Sequence, residues 1–129
     1  MRFGGMTLMT ENVQTKAQFY KDAFKLVTVF ADPDGTFVVL GGGNGAAPQP
    51  GPSLSIEHWR KIADYAPPSP PGGFRILLEN ENVVDAYARA LAAGATSALA
   101  PTRRPWGQEV AIVRDPDGVI VEIGEPLTI

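Results

Sequence analysis

The sequence predicts an α+β protein built from two βαβββ modules, and three observations lead there. Pro and Gly cluster near the middle of the chain in APPSPPGG (Ala66 to Gly73), where four prolines and two glycines exclude both a helix and a central strand. The segments on either side of that break run in the same order: a β-rich stretch, an amphipathic helical stretch, then three further β-rich stretches. The turn DPDG occurs in both halves, at Asp32 to Gly35 and at Asp115 to Gly118, each time between β-rich runs. In such a turn Pro presets φ, Asp bonds nearby amides and Gly accepts a positive φ. A chain of 129 residues suits one domain with one main core. Its parts are a module over 1–65, a Pro/Gly linker over 66–73 and a module over 74–129.

In the first module RFGGMTLMT reads as the opening strand, and Asn12 is placed to cap a helix over VQTKAQFYKDAF. Val13, Ala17, Tyr20 and Phe24 form the apolar stripe of that helix. LVTVFAD, TFVVLG and SLSIEHW supply the three later strands, with an exposed loop, GGGNGAAPQPGP (Gly41 to Pro52), before the last. Tyr65, at the edge of the break, reads as a surface anchor. In the second module FRILLEN is a strand and Asn82 caps VVDAYARALAA, with Val84, Tyr87, Ala88 and Leu91 on one face. Gly94 stands where a helix C-terminal glycine is expected. TSALA, EVAIVRD and VIVEIGE follow, with TRRPWG as a loop. The two DPDG turns join different strand pairs of their modules, so their likeness reflects one local hairpin solution used twice.

The formal net charge of −3 and the pI near 5.0 argue against a nucleic-acid partner, which needs a basic face. No apolar run approaches the roughly 20 residues of a membrane span. The start MRFGGMTLMTEN lacks the apolar core of a signal peptide. The absence of cysteine excludes disulfides, thiolate metal sites and a Cys nucleophile, and a reducing cytoplasm is the expected location. With one histidine, His58, no site can draw two His ligands from one chain. GGGNG lacks the G-K-[ST] ending of a phosphate-binding loop, and a Pro-rich segment follows it where a dinucleotide site would place a helix.

The ending PWGQEVAIVRDPDGVIVEIGEP, with QFYKDAFKL after the first strand and two βαβββ halves around them, resembles the vicinal-oxygen-chelate superfamily. That group includes glyoxalase I, extradiol dioxygenases, fosfomycin-resistance enzymes and bleomycin-resistance proteins. The resemblance implies a half-open mixed barrel. It also implies, in metal-using members, four ligand positions, two per module. The first falls seven residues before Asn12, at Gly5; the third falls seven before Asn82, at Arg75; the fourth falls four after Gly118, at Glu122. The second comes from SLSIEHW, at Leu54 or Ser55 in the best register and at Glu57 or His58 in shifted ones. Only Glu122 matches outright, and a catalytic metal usually takes three protein ligands. The expectation is therefore no cofactor and no metal; a metal, if held, would fall to Glu122, Glu57 and His58, in a lyase or isomerase of the glyoxalase or fosfomycin-resistance kind.

Alternation with period two places Arg75, Leu77, Glu79, Ile112 and Glu122 on one cavity face. It places Gly5, Thr7 and Met9 on another, with Gly5 adding room. The expected ligand-binding residues are Arg75, Glu122, Trp106, Trp59, Glu79, Met9 and Ile112: an apolar wall carrying a few convergent charges. Two acidic groups and two tryptophans suit a cationic, aromatic, drug-like molecule. The resemblance to bleomycin-resistance-type proteins implies metal-free sequestration of a small molecule, antibiotic resistance and a homodimer. Plainer roles stand beside these. Glu122 and Arg75 also suit a structural ion pair, Glu79 a solvated charge, His58 an exposed or packed ring, and both tryptophans core plugs.

Overall fold

The computed structural model of the chain describes residues 1–42, 51–61 and 68–127. Most of the expected loop over 41–52, Tyr65 and the first residues of the Pro/Gly break lie outside the described residues. The chain divides into two units, Met1–Pro67 and Pro68–Ile129. The first holds β1 (Gly5–Thr10), α1 (Val13–Phe24), β2 (Val27–Ala31), β3 (Phe37–Gly41) and β4 (Ser53–His58). The second holds β5 (Ile76–Glu79), α2 (Val83–Ala92), β6 (Thr96–Arg103), β7 (Glu109–Arg114) and β8 (Ile120–Gly124). Both units are thus βαβββ. Their sheets have the corresponding orders β1-β4-β3-β2 and β5-β8-β7-β6, and neither closes into a barrel. In each, the first and last strands run parallel and the other pairs antiparallel.

One helix covers one face of each sheet. α1 buries Val13, Ala17, Phe19, Tyr20 and Ala23 against β3 and β4, and the rings of Phe19 and Tyr20 meet edge-on at 5.1 Å. Phe24, placed on the expected stripe, is only half-buried. α2 buries Val83, Ala86 and Ala90 and packs on β6, β7 and β8. The expected stripe of α2 is corrected by this: Val84 and Leu91 are exposed. Small residues at 86 and 90 let the helix approach the sheet closely, and the larger apolar side chains turn outward. The strand side chains beneath it, Ile76, Ala111, Val113, Val121 and Ile123, are all buried.

The caps differ as well. Asn82 accepts from the Asp85 amide at 3.0 Å, as expected, and Gly94 (φ 114°) ends α2 in a Schellman arrangement, with the Gly94 and Ala95 amides on the Leu91 and Ala90 carbonyls. Asn12 makes no side-chain cap; its amide instead donates to the Thr10 hydroxyl at 3.0 Å. β6 runs on through Pro101, Thr102 and Arg103 beyond the expected TSALA, because an edge strand with register shifts accommodates Pro101.

Gly5 has the opposite meaning from the one expected. It lies at φ 142°, and a Cβ built there would fall 2.0 Å from the Ser53 carbonyl oxygen. The space of its missing side chain is filled by the backbone of β4, so Gly5 enlarges no cavity. The two DPDG turns also part company in environment. Asp115 is buried and accepts from the Asp117 and Val119 amides, each at 2.9 Å. The first turn is clamped from outside: Lys61 Nζ lies 2.8 Å from Asp32 Oδ2 and donates to Thr36 Oγ1 at 2.8 Å.

Two outcomes follow from these contacts. Gly5→Ala destabilises the protein by about 3 kcal/mol or more, since backbone strain adds to a collision with backbone atoms that cannot rotate away; an unchanged thermal midpoint would contradict the close approach. Asp34 accepts from the Thr36 hydroxyl at 2.6 Å and the Thr36 amide at 2.9 Å, which with Lys61 hold its carboxyl at about 2, below its ordinary 3.8. A folded pKa below the unfolded one stabilises fully above the ordinary value, and that contribution fades as pH falls from about 4 towards 2. Thr36→Val moves the Asp34 midpoint back towards 3.8 in an NMR carboxyl titration, and an unmoved midpoint refutes the assignment.

Candidate functional site

The sheet face turned away from α2 carries the chemistry of the second unit. Register brings Leu77, Glu122 and Ile112 side by side across β5, β8 and β7, and Glu79, Gly124 and Val110 form the next row. Leu77 is exposed and Ile112 half-buried, so this face presents apolar surface around one carboxylate. Arg75, just before β5, places Nε 3.0 Å from Glu122 Oε1. The pair is unequal: the Glu122 side chain is 17% exposed and that of Arg75 62%. A carboxylate offers about four lone-pair directions, and here one guanidinium nitrogen reaches one oxygen. So solvated a partner contributes at most about 1 kcal/mol. It shields Glu122 while remaining easy to displace. Glu79 is exposed at the end of β5.

Trp106 occupies the turn between β6 and β7, where Gly107 (φ 95°) donates its amide to the Arg104 carbonyl at 2.9 Å. The indole is 59% exposed, yet its N–H donates to Gln108 Oε1 at 2.9 Å. Gln108 is a functional candidate that sequence reasoning missed. Its parity with Val110 and Ile112 and its closeness to Trp106 were the available signals. Glu125 ties the same corner: its carboxylate accepts from the Glu109 amide at 2.6 Å and from Arg103. These bonds, the Glu109 amide foremost, hold the Glu125 carboxyl below the usual range.

The remaining expected residues lie in the first unit. Met9 on β1 is half-buried and opposite Glu57 on β4, both on the face turned from α1. Ser55 shares that face, whereas Leu54 is buried towards the helix. His58 follows Glu57 and so points to the other side. It borders an open cleft of about 340 Å³ at the start of α1, with Asn12, Gln14 and Thr36. Its Nδ1 accepts from the Arg60 amide at 3.2 Å, and its ring stacks on Trp59 at 5.8 Å. Trp59 is half-buried, with the Arg60 guanidinium over its ring at 4.5 Å from the ring centre.

The residues do not fit the metal that the resemblance implies for some relatives. Gly5 can carry no side chain, Arg75 brings a positive charge, and the sheet separates the direction of His58 from that of Glu57. Among the described residues no three His, Asp or Glu side chains are grouped to hold an ion. No step is therefore derived through a metal.

Comparison with known proteins agrees with this architecture. A glyoxalase-related enzyme from Fulvimarina pelagi superposes with a TM-score of 0.79 at 23% identity, covering 98% of this chain and 88% of its own. A glyoxalase/bleomycin resistance protein/dioxygenase family enzyme from Burkholderia phytofirmans PsJN gives 0.80 at 18% identity, covering 98% and 100%. A superfamily member from Sphaerobacter thermophilus gives 0.73 at 23%, covering 98% and 98%. At these identities the likeness is one of fold. No curated protein sequence matches the chain. The family model described as Glyoxalase/Bleomycin resistance protein/Dioxygenase superfamily matches residues 2–123, nearly the whole length. This chain is a member of the glyoxalase/bleomycin resistance protein/dioxygenase superfamily.

Proposed function

We propose that the protein binds a small, cationic, aromatic molecule without a metal, on the open face of its second sheet, and acts by sequestering it. The observation that carries this reading is the unequal ion pair: a mostly buried Glu122 carboxylate whose only charged partner among the described residues, Arg75, is mostly in water. A ligand cation that replaces Arg75 gains a desolvated carboxylate and releases a guanidinium that solvent accepts readily. Leu77 and Ile112 flank the carboxylate with apolar surface, and Trp106 offers an exposed ring. Glu79 adds negative charge at the rim. Met9 and Trp59 are proposed as a separate ligand contact within the first unit.

Sequestration of a drug would make this a resistance protein of the bleomycin-resistance kind, acting in the cytoplasm. The reading includes a homodimer. β2 and β6 are sheet edges with mostly exposed side chains, Val29 and Phe30 among them, and such edges are usually covered or paired. Among the described residues no helix is long and apolar enough to cross a membrane.

Proflavine, a planar cationic acridine, is a suitable probe. It should raise the thermal midpoint of the protein in proportion to its excess over Kd. Glu122→Gln should abolish that shift, and Arg75→Met should tighten binding by up to about fivefold, the worth of an exposed ion pair. Binding that survives Glu122→Gln, or turnover of a substrate in place of simple retention, would sink the reading. Light scattering should return the mass of two chains, and a monomer at micromolar concentration would remove the dimer.

A further inference from the structure

We propose that Gln108 is a positioning residue that holds Trp106 as a pre-ordered stacking plate for a planar aromatic ligand, and that Gly124 is the gap that admits it. This rests on the small-molecule reading above and adds to it the residue that orients the aromatic contact.

An exposed tryptophan ordinarily satisfies its single N–H with water. Trp106 does not: its Nε1 donates to the side chain of Gln108, which is only 7% exposed. The other end of that amide donates from Nε2 to the Glu125 carbonyl at 2.7 Å. Indole is a donor only and a backbone carbonyl an acceptor only, so a flipped amide would face a donor with its own donor and a carbonyl with its own oxygen. Both ends thus specify one orientation of Gln108, and through it the direction of the indole.

The amide has room only because residue 124 has no side chain. A Cβ on Gly124 would fall 2.9 Å from Gln108 Nε2 and 3.6 Å from Leu77 Cδ1. Gly124 is two residues from Glu122 on the same face of β8, so the Gln108 amide that adjoins Gly124 lies on the carboxylate's face of the sheet. The turn beneath is braced too. Arg103 donates to the Gly107 carbonyl at 2.6 Å and pairs with Glu125, whose amide in turn donates to the Glu109 carbonyl at 3.1 Å. The Arg104 guanidinium lies 5.3 Å from the indole centre and covers part of the ring. The remaining surface is aromatic and in water. A ring with few torsions held in advance loses little entropy when a second ring stacks on it. The ligand class that uses such a plate is planar and aromatic, with its charge directed towards Glu122.

The test uses Gln108→Met, which keeps the volume and loses both hydrogen bonds, with Gly124→Ala as a second variant that leaves Gln108 in place and crowds its amide. Affinities for proflavine and for tetrabutylammonium, a cation with no ring, are measured by calorimetry. Both variants should weaken proflavine by roughly tenfold, the upper range of an aromatic pair, and leave tetrabutylammonium within about twofold. Equal losses for the two cations, or no loss for proflavine, overturn the proposal. A separate readout needs no ligand: with 5-fluorotryptophan incorporated, the Trp106 ¹⁹F resonance, assigned by Trp106→Phe, should shift and narrow towards a mobile exposed indole in either variant. An unchanged resonance overturns the positioning role. Absence of any cation binding to the wild-type protein, with the ¹⁹F change present, removes the sequestration reading and leaves Gln108 as the group that orders Trp106.

Discussion

Each unit has one helix and a sheet with two faces, and that mismatch governs the rest of the molecule. A parallel pairing of first and last strands needs a crossover, and the βαβββ order supplies only one helix to make it. The covered face becomes core: Tyr20, Ile56, Val113, Val121 and Ile123 are buried there without remainder. The uncovered face keeps apolar side chains such as Leu77 and Ile112 without a helix of its own unit over them. A carboxylate on that face is partly desolvated by its sheet neighbours, yet still reachable. Glu122 has this position because strand alternation puts it there once Val121 and Ile123 are drawn to the helix.

The fold was legible because its signals are local and redundant. DPDG turns, the Asn82 cap, the Gly94 stop and the strand alternation each point to the same βαβββ order. The phase of α2 was less legible. Val84, Tyr87, Ala88 and Leu91 form a good apolar stripe by hydropathy, but the sheet selects Ala86 and Ala90 for their small volume. Hydropathy alone does not report how close a helix must come to its sheet. Asn12 misled for a related reason: the residue type suits a cap, but Thr10 engages its amide and the side chain makes no cap bond.

The site was legible in part. Arg75 and Glu122 share a face by parity, and their contact follows from the parallel register of β5 and β8. Gln108 was not legible, because an isolated glutamine has no motif. Its importance comes from contacts at both ends of one amide and from a glycine sixteen positions further along the chain. Gly5 was read from its lack of a side chain as empty space, when its positive φ and the backbone beside it make it a point of close contact.

That contact bears on what mutation can reach from this sequence. A coordinating side chain on the first strand at position 5 cannot be gained by substitution alone, because β4 already occupies the volume where any side chain would begin. Gain of such a ligand would require the strand to shift first, at a cost felt before any benefit arrives. Changes at Arg75 meet no such barrier, since its side chain is largely in solvent. Substitution at position 75 therefore alters the charge partner of Glu122 at far lower cost than any substitution that puts a side chain at position 5 of β1.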